Sequence, residues 1–148
     1  MSLQLQKMNQ KKNRVSWEEY ALRIAEAASL RSEDVYTKVG ACALDYSNRV
    51  IGVAYNGLAS GVEVNDSFWR DRDKRRPYMI HAETNLLSLF KRGECRLLAC
   101  TLLPCSGCAS MISAYGIKRV VYKEHYYRDA LALDIFKFNN IECIQITY

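Results

Sequence analysis

The chain has 148 residues, of which 49% are hydrophobic and 25% charged, and its formal net charge is +5. This length and composition are those of one ordinary globular domain and exclude a disordered or low-complexity chain. The positive charge suits an anionic ligand such as a nucleotide. The sequence lacks the long basic stripe interleaved with aromatic residues that is typical of nucleic-acid binding, so a nucleic-acid partner is not expected.

Residues 1–16 are polar and basic and hold no hydrophobic segment of the kind found in a secretory signal. No apolar run approaches the ~20 residues that cross a bilayer, so no membrane partner is expected. We therefore expect a cytoplasmic protein with a single domain over residues 1–148, of which residues 1–15 form a polar N-terminal arm.

The first predicted elements are a helix and a hairpin. Ser16 and Glu19 have the spacing of a capping box, which predicts a helix over residues 17–30. The apolar stripe of this helix is predicted to consist of Tyr20, Ile24, Ala27 and Ala28. Strand-like runs at 40–44 and 50–55, separated by turn residues at 45–48, predict a β-hairpin.

The rest of the chain alternates helices and strands. Residues 56–78 lack a sustained period and hold clustered charge, and such a long stretch inside a compact domain is usually functional or mobile. Helices are predicted at 81–92, 105–115 and 128–138, and strands at 97–103, 118–122 and 141–146. A hairpin followed by this alternation predicts an α/β layered domain with a mixed sheet.

Two short motifs carry the candidate chemistry: His81-Ala82-Glu83 and Pro104-Cys105-Ser106-Gly107-Cys108. Two cysteines three apart at a helix start place both thiols on one face, and the helix N-terminus stabilises the thiolate that binds metal. Together with His81 they offer three ligands to Zn²⁺ and leave the fourth tetrahedral position open, as in catalytic sites. This H-x-E…P-C-x-x-C combination is the signature of zinc-dependent nucleobase deaminases.

Glu83 is the candidate catalytic residue. It stands two residues from His81, about 200° around an ideal helix, and is therefore not expected to bind the same ion. Its predicted role is general acid and base: it takes a proton from water and delivers protons to N3 of a cytosine ring and to the departing ammonia.

The alternatives for these residues are structural. A single C-x-x-C can also be a redox motif or an accident, although one of only two histidines and one of only two prolines fall in the pattern. A structural zinc site would need a fourth ligand, which Cys95 or Cys100 could supply, and would leave Glu83 without a purpose. His125 is expected at the surface. Free cysteines that behave as small core hydrophobes are expected at Cys42, Cys100 and Cys143.

The stretch His81-Ala82-Glu83-Thr84-Asn85, together with residues 101–109, resembles the deoxycytidylate (dCMP) deaminases of the cytidine deaminase superfamily. Residues 37–41, 55–57 and 116–122 agree with the same family, so the resemblance covers about residue 16 to the C-terminus. It implies a three-layer α/β/α cytidine-deaminase-like fold, a five-stranded mixed sheet with helices on both faces. It also implies zinc-dependent hydrolysis of dCMP to dUMP, which feeds thymidylate synthesis.

The resemblance implies two substrate-binding residues. Asn56 matches the family's asparagine that contacts the substrate sugar, and Tyr126 falls where the family places an aromatic beside the substrate. From the residues alone, Asn56-Gly57 favours a simple turn and Tyr126 is equally compatible with surface or core.

The segment before His81 separates substrate classes. Its Trp69, Arg70, Arg72 and Arg76 are candidate contacts for the phosphate of a substrate or of an allosteric nucleotide. The alternative is a solvated charged loop, since aspartates are interspersed. Regulated members of the family bind dCTP or dTTP near this loop, often with Mg²⁺, and assemble as hexamers. Ala59, where a proline is usual, and a shorter loop depart from the usual pattern of these regulated members, so both regulated and unregulated enzymes stay open here.

Two rival functions stay open. One is a deaminase that acts on dCTP or on adenosine in tRNA. The other, from a different class, is a catalytically silent zinc module that binds nucleotides or partners, against which the presence of Glu83 argues.

Overall fold

The computed structural model describes residue 3 and residues 13–148, so most of the predicted arm at residues 1–15 lies outside the described residues. Within the described part, no helix is both long enough and apolar enough to cross a membrane.

The first helix, α1, spans Trp17–Ser29, and the hydroxyl of Ser16 accepts a hydrogen bond of 3.0 Å from the backbone N–H of Glu19. The predicted start is thus confirmed, and the predicted stripe is confirmed in part: Ala28 is buried and Ile24 is half-buried against the core, whereas Tyr20 and Ala27 are exposed. The helix lies so close to the sheet that a Cβ on Gly40 would stand 1.8 Å from a backbone oxygen of the helix. The helix therefore turns its smaller residues, rather than Tyr20, toward the sheet. The buried residues are Ala21, Leu22, Ala25 and Ala28.

The predicted hairpin is confirmed. Strands β1 (Gly40–Asp45) and β2 (Val50–Tyr55) pair antiparallel. The turn between them contains Asn48, whose φ of 60° lies in the left-handed region that asparagine tolerates. The carboxylate of Asp45 accepts hydrogen bonds from the backbone N–H groups of Ser47 and Arg49.

The segment without sequence period contains two short helices, α2 (Asp66–Arg70) and α3 (Arg72–Arg75), and a 3₁₀ turn at Arg76–Tyr78. At its base Gly57 and Ile80 exchange two backbone hydrogen bonds, of 3.0 and 2.7 Å. The segment is therefore a closed loop that returns the chain to the sheet immediately before His81.

The remaining elements follow in the predicted order: α4 (Ala82–Leu87), β3 (Cys95–Leu102), α5 (Ser106–Ala114), β4 (Arg119–Glu124), α6 (Leu131–Phe138) and β5 (Glu142–Gln145). The first of these helices ends five residues before the predicted residue 92. There the hydroxyl of Ser88 bonds to the carbonyl of Asn85 and the N–H of Leu89 to that of Leu86, which tightens and ends the helix.

The sheet has five strands in the order β2-β1-β3-β4-β5. β1 pairs antiparallel with β2 and β3, whereas β3, β4 and β5 are parallel. Because side chains alternate along a strand, β1 sends Cys42 and Leu44 to the face covered by α1, and Ala41 and Ala43 to the opposite face. Residues of α4, α5 and α6 cover that second face. The predicted three-layer α/β/α fold is thus confirmed.

The cysteines expected in the core lie there: Cys42 and Cys100 are fully buried, Cys143 is half-buried against the core, and all six cysteines are free. His125 is half-buried rather than at the surface, because its ring packs edge-to-face on that of Tyr127 at 4.6 Å.

Candidate active site

Two helix starts bring three metal-ligating side chains together. His81 precedes α4 and Cys105 precedes α5, each as the N-cap residue, and Cys108 lies in the first turn of α5. The His81 Nδ1 atom lies 3.5 Å from the Sγ of Cys105 and 3.3 Å from the Sγ of Cys108. Among the described residues, these three form the only group of His, Cys, Asp or Glu ligand atoms that could hold a metal, all within 4.8 Å of one another.

This group fits zinc. Bonds of about 2.3 Å to sulfur and 2.0 Å to nitrogen place N and S roughly 3.5 Å apart in a tetrahedral site, close to the observed separations. Cys95 and Cys100, the alternative fourth ligands, lie outside the group. The residues that the structure describes therefore supply three ligands rather than four, which is the arrangement of a catalytic zinc site.

Protons are shared unequally among the three ligands. The hydrogen bond between the two thiols lowers the pKa of Cys105 and raises that of Cys108, so that Cys105 is the thiolate of the pair. The hydrogen bond to Cys105 in turn raises the pKa of His81. A metal ion that binds here must displace these protons, so its affinity falls as the pH falls.

Glu83 lies in the first turn of α4 and is only 4% exposed. Its Oε2 accepts a hydrogen bond of 3.2 Å from the thiol of Cys108, which places the carboxyl directly beside the candidate metal ligands. Burial raises the pKa of Glu83, which helps this carboxyl to carry a proton. The predicted angle of 200° between His81 and Glu83 is wrong, because it assumes that both residues lie in the helix. His81 has φ −70° and ψ 150° and stands outside it.

A cavity of about 730 Å³ opens over these residues, within the usual size of a small-ligand site. His81, Glu83 and Cys105 line it together with both residues that the family resemblance assigns to the substrate, Asn56 and Tyr126.

Asn56 is fixed by its hydrogen bonds. Its Oδ1 accepts from the N–H of Val39 at 2.9 Å and from the hydroxyl of Ser32 at 2.7 Å, and its Nδ2 donates to the carbonyl of Thr37 at 2.9 Å. Both acceptor positions and one of the two N–H groups are thus used, which leaves one donor for a ligand. The alternative of a simple turn at Asn56-Gly57 is wrong, because Gly57 pairs with Ile80 as an extended bridge.

Tyr126 lies on the loop after β4, half-buried against the core. The same loop carries two polar residues that the sequence did not single out, Arg128 and Asp129, and both line the cavity. Asp129 caps α5 by accepting hydrogen bonds from the N–H and the hydroxyl of Ser106. This use of Asp129 explains why α6 begins only at Leu131, three residues later than predicted.

The predicted phosphate contacts divide into two groups. Arg70, Arg72 and Arg76 line the cavity, and their contact with a phosphate stays a prediction. Trp69 is not among the lining residues and packs edge-to-face on Phe68, with ring centroids 5.3 Å apart.

Sequence reasoning counts Arg75 only among the basic residues of the loop and does not single it out, but Arg75 lines the same cavity and is only 5% exposed. Its Nη1 lies 2.9 Å from Oδ2 of Asp34, and this ion pair is buried. The sequence carries no signal that separates Arg75 from its basic neighbours, because the burial depends on a partner 41 residues away.

Comparisons with known proteins agree with this geometry. Residues 15–124 match the family model of the cytidine and deoxycytidylate deaminase zinc-binding region. The human deoxycytidylate deaminase is 31% identical over 125 residues, which cover 78% of this chain and 69% of the human protein. The deoxycytidylate deaminase of Mycobacterium phage D29 is 35% identical over 126 residues, covering 74% of this chain and 96% of the phage protein.

A solved structure also resembles this one. The crystal structure of the dCMP deaminase from the cyanophage S-TIM5 in apo form superposes with a TM-score of 0.72 at 25% identity. The superposition covers 87% of this chain and 96% of the phage chain, so the likeness extends over nearly the whole fold.

Proposed function

This chain belongs to the cytidine and deoxycytidylate deaminase family, and we propose that it is a zinc-dependent enzyme that hydrolyses dCMP to dUMP and ammonia. The observation that carries the proposal is the placement of Glu83 beside the candidate zinc ligand Cys108, at the wall of a cavity that His81 and Cys105 also line. Family relatives that act on dCMP support this choice of substrate.

His81, Cys105 and Cys108 would hold the zinc ion, and the ion would supply Lewis-acid activation of water. The two cysteine sulfurs and the imidazole are fixed by the starts of two helices, so they require little rearrangement to bind it. The start of α5 favours the thiolate form of Cys105, and Cys108 would lose its proton to the ion.

Glu83 moves the protons. It accepts a proton from the attacking water and passes it to N3 of the cytosine ring while the water oxygen bonds to C4. It then transfers the remaining proton of the water oxygen to the amino group, the bond from C4 to that nitrogen breaks, and ammonia leaves. Its burial supports this role, because burial raises the pKa of Glu83 and a carboxyl with a raised pKa holds a proton more readily.

Asn56 and Tyr126 orient the nucleotide in this proposal. The free N–H of Asn56 is available to a sugar hydroxyl, and its other hydrogen bonds prevent it from rotating away. Tyr126 offers an aromatic face at the cavity wall, against which a base or sugar can pack.

The substrate is tested by ammonia release from dCMP, deoxycytidine, dCTP and cytosine, measured in parallel with zinc-loaded enzyme. We expect the highest kcat/KM for dCMP. Equal activity on deoxycytidine would contradict recognition of the phosphate, and a preference for dCTP would favour the alternative deaminase. No release of ammonia from any of them, or from tRNA adenosine, would leave the silent zinc module as the better description.

Further properties expected from the family stay predictions: supply of dUMP for thymidylate synthesis, a cytoplasmic location, a hexamer, and regulation by dCTP and dTTP with Mg²⁺. The oligomer is tested by sedimentation with and without dCTP and Mg²⁺. Regulation is tested by the dependence of the dCMP rate on each triphosphate.

A further inference from the structure

Arg75 combines burial with unused hydrogen-bonding capacity. Its side chain is 6% exposed and its Nη1 donates to Oδ2 of Asp34 at 2.9 Å, yet its Nε is buried and has no hydrogen-bond partner among the described residues. An unpaired buried donor of a charged group is costly, and native structures usually supply it with a partner. Arg75 lines the candidate active-site cavity, where the rest of its guanidinium, beyond the nitrogen that Asp34 holds and the buried Nε, can meet a ligand.

The side chain of Arg75 is held in place on two sides. The ring of Tyr36 lies under the guanidinium, 4.7 Å from its Cζ, and Asp34 pairs with one end. Asp34 is itself fixed, because its Oδ1 accepts hydrogen bonds from the backbone N–H groups of Tyr36 and Thr37 at 2.8 and 3.1 Å. The ordering entropy of the long arginine side chain is therefore lost on folding and not on ligand binding.

The other arginine side chains that line the cavity are not buried and held in place in this way. Arg70, Arg76 and Arg128 are exposed, and Arg72 is half-buried. An exposed arginine must give up rotamer freedom to bind an anion, and the attraction is screened by water and salt. A buried guanidinium with fixed geometry gains more from the same contact, because its remaining donors match the oxygens of a phosphate.

We propose that Arg75, oriented by Asp34 and Tyr36, is the residue that recognises the 5′-phosphate of the substrate and sets the preference for a nucleotide over a nucleoside. This inference rests on the proposed dCMP deaminase activity. The exposed arginines of the loop would attract the anion in general, whereas Arg75 would make the specific contact with the phosphate.

The test compares a phosphorylated and an unphosphorylated substrate. Replacing Arg75 alone leaves the carboxylate of Asp34 buried and unpaired, so the informative variants are Arg75→Lys and the neutral pair Asp34→Asn with Arg75→Gln. Lys74→Gln is the matched control, because it removes one positive charge from α3 at a position that does not line the cavity. Thermal melting first establishes that each variant is folded.

We expect the neutral pair to raise the KM for dCMP about tenfold or more, the size of effect expected for a lost hydrogen bond to a charged group. Its kcat/KM for deoxycytidine should stay within about twofold of the wild-type value. Arg75→Lys should fall between, because it keeps the charge but loses the fork of donors. Lys74→Gln should leave both substrates unchanged.

A parallel loss for both substrates would show that Arg75 only supports the cavity wall, and unchanged kinetics for dCMP would remove it from phosphate recognition. Calorimetric binding of dUMP and of deoxyuridine gives the same comparison without turnover, and applies also if a variant is inactive. An equal affinity of wild-type enzyme for these two ligands would overturn the proposal. A wild-type enzyme that binds dUMP through Arg75 but releases no ammonia would overturn the proposed activity alone.

Discussion

Ser106 donates two hydrogen bonds to one carboxylate oxygen of Asp129, from its backbone N–H and from its hydroxyl, each 2.8 Å long. The two residues join the start of α5, between the cysteines of the candidate zinc site, to the loop that carries Tyr126. The metal site and the wall of the substrate cavity are therefore mechanically connected, although 23 residues separate them in the chain.

We expect Asp129→Ala to weaken zinc binding by about tenfold to a hundredfold, the usual effect of removing a group that supports metal ligands. The free energy of unfolding should fall by about 1 kcal/mol, because α5 loses its cap. Competition with a chromophoric chelator measures the first effect and chemical denaturation the second. Asp134→Ala, at an exposed position on α6, is the control; equal behaviour of the two variants would contradict the connection.

The role of Glu83 is tested by Glu83→Gln, which keeps the size of the side chain and removes its ability to carry a proton. We expect zinc content to stay at one ion per chain while kcat for dCMP falls by about 10² to 10⁴. Metal analysis and ammonia release measure these two quantities. The control is Glu63→Gln in the exposed part of the loop, and an active Glu83→Gln enzyme would remove Glu83 from the mechanism.

Loss of a zinc ligand should have a different signature. We expect Cys105→Ala to release the metal and to lower the melting temperature, because zinc affinity is linked to folding. Dialysis of the wild-type protein against a chelator should lower its melting temperature in the same way. Cys143→Ala removes a half-buried thiol outside the site and should keep its zinc; loss of metal from this variant would place the site elsewhere.

The close contact of α1 with the sheet predicts a sensitive position at Gly40. A Cβ there would lie 1.8 Å from the carbonyl oxygen of Ala25, and backbone cannot move aside as a side chain can. Gly40→Ala should therefore destabilise the fold by about 3 kcal/mol or more.

The matched variant is Gly57→Ala, where the nearest atom is the Oε1 of Glu33 at 3.3 Å, the end of a flexible side chain. Its free energy of unfolding, measured by urea denaturation, should change much less than that of Gly40→Ala. Similar losses in the two variants would contradict the explanation by backbone contact.

Much of the site could be predicted because its chemistry requires fixed local spacing. The interval between Cys105 and Cys108 places both thiols at one helix start, and the Ser16 cap follows equally local rules. The strands could be predicted because runs of apolar residues bounded by turn residues are local signals in the sequence.

The other features of the fold and the site depend on contacts between residues that lie far apart in the sequence. The exposed face of α1 carries Tyr20, which a hydrophobicity pattern favours for the core, while the close approach at Gly40 selects small residues instead. Arg75 has the sequence character of a surface residue and is buried only because Asp34 meets it across the fold. Asp129 caps a helix that precedes it by 23 residues, which no local pattern reveals.

The bridge between Gly57 and Ile80 fixes both ends of the loop that lies between these two residues. Since these two residues hold the ends of the loop together, insertions and deletions between them leave His81 where it stands. Doubling the length of such a loop costs only about 0.6 kcal/mol in closure entropy. The loop that carries Arg75 can therefore change in length without displacing the candidate metal ligands.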